Sequence, residues 1–232
     1  MITNYRKGFT LAEVLITVVI IGVVAALTIP AVVHKYQKHI FKVQFKKEQN
    51  TIINAFLLAE NDMQHKPNCY YWDREGTEIN PTDDCPLMKD IIEKRLKIVH
   101  KRLRDSKRTS SDGVIPEYKG LDEVYKENFP DKSQEYIDAL VSGHGYWSTS
   151  AFIIRREAWV LADNAIILFY DDRSSPFKLF AIDVNGKKGP NKWGYDLIPV
   201  KIFSNIGKPL KLVPSESGMI EAGGVGAEEY MY

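Results

Sequence analysis

From Val14 to Val33 the chain runs for twenty residues without a charge, and most of them are Val, Ile, Leu or Ala. At about 1.5 Å per residue, a helix of that length spans a hydrocarbon core about 30 Å thick. Core helices of soluble proteins are usually shorter and apolar on one face, so the stretch reads as a membrane-inserted helix. A secretory signal peptide carries a shorter apolar run and then a small-residue cleavage site, and no such site follows here. Arg6 and Lys7 precede the run, Gly8 closes this basic leader, and Glu13 lies just inside the apolar segment. A carboxylate within a span costs on the order of 2.5–3.5 kcal/mol near the centre and less near an end. Glu13 is therefore read as functional and in need of a partner.

Helical spacing continues past the span. Ile40, Val43, Ile52, Ile53, Phe56 and Leu57 recur among Lys, Gln, Glu and Asn, the pattern of an amphipathic helix. Phe9 to about Glu60 thus reads as one helix on the order of 75 Å long. Its first half is expected in an apolar surround and its second half against a globular head. Pro30 removes one backbone hydrogen bond and predicts a bend.

From about Lys66 the chain reads as a single head. Residues 67–86 have loop composition, Leu87 to Leu103 a helical pattern, 105–120 a polar loop, and Gln134–Val141 a short helix. After Gly145 the pattern turns to strands: Ser150–Ile154, Ala158–Leu161, Ala165–Tyr170, Phe177–Asp183 and Ile198–Phe203. Asp163-Asn164 is a tight-turn signal between two of them. A long helix, short helices and then an antiparallel sheet make an α+β fold.

Composition narrows the function classes. Lys and Arg total 31 against 30 acids, so nothing in the charge balance calls for a nucleic-acid partner. Cys69 and Cys85 are the only cysteines. If the head lies outside the cytoplasm, a disulfide between them closes a local loop and adds about 3 kcal/mol; otherwise they are two free thiols. The chain lacks GxSxG, HExxH, P-loop and GxGxxG patterns. Ser142-Gly143-His144-Gly145 is its most site-like cluster, and small residues at a helix end explain it more simply. The chain is expected not to be an enzyme, and to need no cofactor; the rival class is a membrane-anchored extracytoplasmic hydrolase.

The run Lys7-Gly8-Phe9-Thr10-Leu11-Ala12-Glu13, followed by an apolar helix, resembles the class III signal of type IV prepilins and type II secretion pseudopilins. The resemblance implies that a membrane peptidase cuts between Gly8 and Phe9 and that the same enzyme methylates the new amino terminus at Phe9. It implies that Glu13 neutralises the amino terminus of a neighbouring subunit, and that Pro30 bends or locally melts the helix. The expected organisation is a leader at 1–8, a membrane-spanning part at 9–33, an amphipathic continuation at 34–64 and an extracytoplasmic head at 65–232. The implied partners are the prepilin peptidase, other pilin or pseudopilin subunits and an inner-membrane assembly platform. The implied location is a single pass through the cytoplasmic membrane, and in mature form a filament. Charge counting opposes that orientation, since Lys35, Lys38, Lys42, Lys46 and Lys47 follow the span.

A second resemblance covers Trp159 to Pro214. Trp159-Val160-Leu161-Ala162-Asp163-Asn164, Ile182-Asp183-Val184-Asn185-Gly186 and Gly189-Pro190-Asn191-Lys192-Trp193-Gly194-Tyr195-Asp196 look like the C-terminal region of pseudopilins. Some major pseudopilins bind calcium here, which makes Asp183, Asn185 and Asp196 candidate ligands, although Asx-Gly sequences often only make turns. The combined expectation is a minor or pseudopilin-type subunit of a type II secretion pseudopilus, with a major or minor type IV pilin as the alternative.

Overall fold

The computed structural model describes residues 8–67, 69, 84–142, 145–170, 179–203, 209–215 and 219–231. Residues 1–7 of the expected leader, Gly143-His144 and the first two residues of the strand expected from Phe177 lie outside them. The chain divides into two units, Met1–Ile40 and Phe41–Tyr232. Helix α1, Leu11–Met63, runs without interruption through Pro30 and across that division.

In the first unit the side chains from Val14 to Val33 are almost all exposed. Among the described residues α1 is the one helix long and apolar enough to cross a membrane. In the second unit the same helix becomes one-sided. Phe41, Phe45, Glu48, Ile52, Ala55, Phe56 and Ala59 are its buried residues. Steps of three and four keep them on one face.

That face packs on a six-stranded antiparallel sheet in simple order, β1 Ile98–Arg102, β2 Ala158–Leu161, β3 Ile166–Phe169, β4 Phe180–Asp183, β5 Leu197–Phe203 and β6 Lys211–Pro214. Successive strand residues point to opposite faces, and here both faces are covered. Trp159, Ile167, Phe169, Phe180, Ile182 and Val200 join the core formed with α1. Ala158, Val160, Ile166, Leu168, Ala181 and Leu197 join a second core. The second core is completed by helices α3 (Leu121–Asn128) and α4 (Gln134–Val141), through Leu121, Val124, Ile137 and Val141. Trp147 and Trp193 also enter it, their rings 5.0 Å apart. Coverage on both sides explains why β2 and β3 read as unbroken apolar runs.

The α+β architecture expected from the sequence is present. β2 and α4 match the expected residues, and Asn164 makes the β2–β3 turn with φ 73°. Two readings are corrected. The stretch Leu87 to Leu103 is helix only as α2, Asp84–Arg95; Ile98–Arg102 is strand β1, paired with β2. Val99 and Leu103 fit the helical spacing by coincidence, and both are exposed. Ser150–Ile154 is not a strand. Thr149 caps a single turn, α5 (Ser150–Ile153), with its hydroxyl accepting the Phe152 N–H at 3.2 Å. The short elements β1, β6, α3 and α6 (Ala227–Met231) carried no pattern strong enough to find.

Cys69 and Cys85 form a disulfide with Cα atoms 5.3 Å apart. Both are buried beside Met88 and Ile92 in the core against α1.

Candidate functional site

The candidate site is the start of α1. Gly8 is exposed, with open space on the side where a Cβ would stand. Phe9 is 88% exposed and belongs to no packed core. Among the described residues, no neighbour packs on either one in a way that would keep a protease from an extended backbone.

Thr10 occupies the cap position before Leu11, and three residues later stands Glu13. Glu13 Oε2 accepts from the Thr10 backbone N–H and from the Thr10 hydroxyl, both at 2.8 Å. Thr10 Oγ1 in turn accepts the Glu13 N–H at 3.2 Å. This is a reciprocal capping box, which satisfies two of the N–H groups that a helix start leaves open. One carboxylate oxygen does this work, and Glu13 Oε1 has no partner among the described residues. The carboxylate read from the sequence as awaiting a partner therefore already has one in its own chain. The T-x-x-E spacing was legible in the sequence and was missed beneath the stronger signal of the apolar run.

The C-terminal segments that resemble pseudopilins converge in the head. Asp183 at the end of β4 and Asp196 before β5 are fully buried, and Asn185 is nearly so. Asp183 Oδ1 accepts the N–H groups of Asn185 (3.1 Å) and Gly186 (2.7 Å), and Oδ2 accepts the Tyr118 hydroxyl at 2.9 Å. Asp196 accepts the N–H of Asn191 on Oδ2 at 2.8 Å and that of Lys192 on Oδ1 at 2.9 Å. The Asn185 amide donates to the Gly189 carbonyl at 2.7 Å, leaving its Oδ1 buried and without a donor among the described residues. Burial, and then the charge of Asp196, push the Asp183 carboxyl up to about 7. Burial also raises Asp196.

A calcium ion takes about six to eight oxygens. Here every carboxylate oxygen of the two aspartates already accepts from an N–H or O–H. The three residues come together, but they supply only two carboxylates, and among the described residues no group of three or more His, Cys, Asp or Glu side chains is placed to hold a metal ion. Their use in this structure is to tie the loop from Asn185 to Asp196 to the sheet and to Tyr118.

A third polar group joins α1 to the β2–β3 turn. The Lys47 ammonium bridges Asp163 and Glu48, the latter at 3.3 Å. Burial, and then the charge of Asp163, raise the Glu48 carboxyl to about 7. Asp163 lies below its usual range because bonds from Lys47 and Glu48 outweigh its own partial burial. The two carboxyls are thus driven apart in proton affinity, Glu48 upward and Asp163 downward. Lys47, read from the sequence only as one of a run of basic residues, is a structural tie.

Residues 3–29 match the family described as the prokaryotic N-terminal methylation motif. No curated protein and no solved structure matches the chain. With that motif at the head of an apolar helix that leads into an antiparallel sheet, the chain carries a type IV pilin-type N-terminus on an α+β, pilin-like architecture.

Proposed function

We propose that the chain is a structural subunit of a type II secretion pseudopilus, of minor or pseudopilin type, made as a precursor and cut between Gly8 and Phe9. The observation that carries this reading is the methylation motif on a helix whose apolar side chains lie open from Val14 to Val33. So much exposed apolar surface is stable only when lipid or other copies of such a helix cover it.

Cleavage after Gly8 places the new amine at Phe9, one residue before the cap. Thr10 and Glu13 would then open the mature helix. The free Glu13 Oε1 can accept the amine of a neighbouring subunit while Oε2 continues to cap its own helix. In an apolar surround such a pair attracts strongly enough to offset its desolvation when the geometry is good. Pro30 takes one rung out of the helical ladder, so α1 can bend there as it packs. The partners in this reading are the prepilin peptidase, which also methylates Phe9, other subunits through α1, and an inner-membrane platform. The head lies outside the cytoplasm, where the Cys69–Cys85 disulfide is at home. The chain is then an enzyme's substrate, not an enzyme.

The pseudopilus is favoured over a type IV pilus by the resemblance of Trp159–Asn164, Ile182–Gly186 and Gly189–Asp196 to the C-terminal region of pseudopilins; the second and third of these segments are joined by the Asn185–Gly189 bond. Mass spectrometry of the protein from native membranes tests the processing. A chain beginning at N-methylated Phe9 is expected. One still beginning at Met1, in cells with an active prepilin peptidase, overturns the proposal. Cross-linking in those membranes then separates the two filaments, by whether the chain is captured with secretion-platform or pilus-platform components.

A further inference from the structure

We propose that a cleft in the head beside Arg102 binds a carboxylate that carries N–H donors, either a free amino acid or the C-terminal end of a peptide. The cleft has a volume of about 210 Å³ and lies between β1, the loop before α3 and the turn α5. Arg102, Pro116, Glu117, Ser150, Ala151 and Ile154 are among the residues that line it.

Arg102 is the reason to expect an anion. Its side chain is only 2% exposed. Nε donates to the Arg156 carbonyl at 3.2 Å and Nη2 to the Ile153 carbonyl at 3.4 Å. Nη1 has no partner among the described residues, and no carboxylate there forms an ion pair with the guanidinium. Burial lowers its affinity for its proton, the nearby Arg108 lowers it further, and Asp112 offsets only part of this. Asp112 is also committed elsewhere, accepting the N–H groups of Val114 and Ile115 at 3.0 Å. A buried charge without a counterion is costly, and such charges are normally paired. A planar guanidinium with a free edge is suited to a carboxylate.

The other walls narrow the class. Glu117 is an exposed acid on the rim, which disfavours a doubly charged phosphate and supplies an acceptor for an N–H or ammonium group. Thr109 and Ser150 add hydroxyls, and Pro116, Ala151 and Ile154 give a small apolar floor. A carboxylate at one end and an N–H donor a few atoms away is the pattern of an amino acid or a peptide terminus.

Titration calorimetry on the full chain in detergent micelles, at constant ionic strength, tests this with L-alanine, acetyl-Ala-Ala and acetyl-Ala-Ala amide. Saturable binding of at least one of the two acids is expected, with none by the amide. Tighter binding of acetyl-Ala-Ala assigns the site to peptide ends, and tighter binding of alanine assigns it to free amino acids. Ala151→Trp covers the mouth from an exposed position without touching the core, and is expected to weaken binding at least about tenfold. Arg102→Lys, which keeps the charge and loses the fork, is expected to weaken it by a similar factor. No saturable heat, equal binding of the amide, equal binding by Ala151→Trp, or saturation by inorganic phosphate alone would overturn the proposal.

Discussion

Raising the pH from about 5 to about 8 is expected to destabilise the head, and Asp183→Asn is expected to remove much of that loss. Asp183 is fully buried, and its carboxyl is pushed up to about 7 by burial and by Asp196. In the unfolded chain the same group titrates near 3.8. An acid whose folded pKa is raised binds its proton more tightly when folded. Its contribution is therefore fully present below about 4 and lost as pH rises through about 7. Each tenfold difference in proton affinity is worth about 1.36 kcal/mol, so the whole shift is worth about 4 kcal/mol, of which roughly 2.7 kcal/mol is lost above about pH 5. Glu48, also raised to about 7, acts with the same sign in the same window, as does the exposed His65–Asp84 pair. The variant should therefore reduce the slope without abolishing it. Asparagine keeps an oxygen for the Asn185 and Gly186 N–H groups, and its amide can donate to the Tyr118 oxygen, so the fold is expected to survive. Asp112 and Asp163 are held below their usual range, and their contributions are lost only at more acid pH. Urea unfolding followed by the fluorescence of the buried Trp147, Trp159 and Trp193 gives stability at both pH values. Wild-type stability that is flat or rises from about pH 5 to about pH 8, or a fall that Asp183→Asn leaves unchanged, would refute the assignment.

Reducing the Cys69–Cys85 bond, which spans 16 positions, is expected to cost about 3 kcal/mol by chain entropy; urea curves with and without reductant, beside a thiol count by mass spectrometry, check this. Phe45→Ala empties a fully buried site on the face of α1 that packs on the sheet, and is expected to lower stability by about 3–5 kcal/mol in the same assay. Glu13→Ala is expected to be cleaved and methylated normally but to assemble poorly; filaments sheared from cells and quantified by immunoblot at wild-type yield would contradict the amine pairing. Chelation by EGTA is expected to leave the thermal midpoint of the head unchanged, because the oxygens of Asp183 and Asp196 are already committed; a drop that added calcium reverses would show that those hydrogen bonds give way to the ion.

The parts of the fold that were legible in the sequence are those with long or simple signals. The uncharged run from Val14, the alternation of helical spacing beyond it, and the Asp163-Asn164 turn each carry their meaning locally. The misreadings share a different cause. Val99 and Leu103 satisfy helical spacing as well as strand spacing, and only pairing of Ile98–Arg102 with β2 decides between them. Ser150 to Ile154 is apolar enough for a strand until the Thr149 cap closes it into a turn. At the candidate site the T-x-x-E spacing of Thr10 and Glu13 allows a capping box, and the structure supplies the bonds that make it one. The commitment of Asp183 and Asp196 to backbone N–H groups was hidden, since sequence shows which oxygens exist and not which donors reach them. Arg102 lies in the stretch whose spacing reads as helix, and its place at the end of β1, against the Ile153 and Arg156 carbonyls, is what buries it.

The two parts of α1 meet different solvents, and the difference bears on what drives assembly. From Phe41 onward the apolar residues sit on one face and are buried by the sheet, so each large side chain contributes roughly 1.5–3 kcal/mol by leaving water. From Val14 to Val33 they face outward on all sides. In a membrane those side chains are already in an apolar medium, and moving the helix against similar helices gains almost nothing from the hydrophobic effect. Close packing and polar pairing must then decide whether a subunit stays in lipid or joins its neighbours. Glu13 and Thr10 are the polar groups at the start of this stretch. On the proposed function, capping by Oε2 would keep the carboxylate tolerable in lipid before assembly and leave Oε1, without a partner among the described residues, for a donor from another chain. On this reasoning Thr10→Val, which loses the hydroxyl and keeps the volume, should lower the amount of subunit held in membranes before it affects filament geometry. Subunit levels in membranes of cells that lack the assembly platform measure that step in isolation, and unchanged levels there would place the role of Thr10 elsewhere.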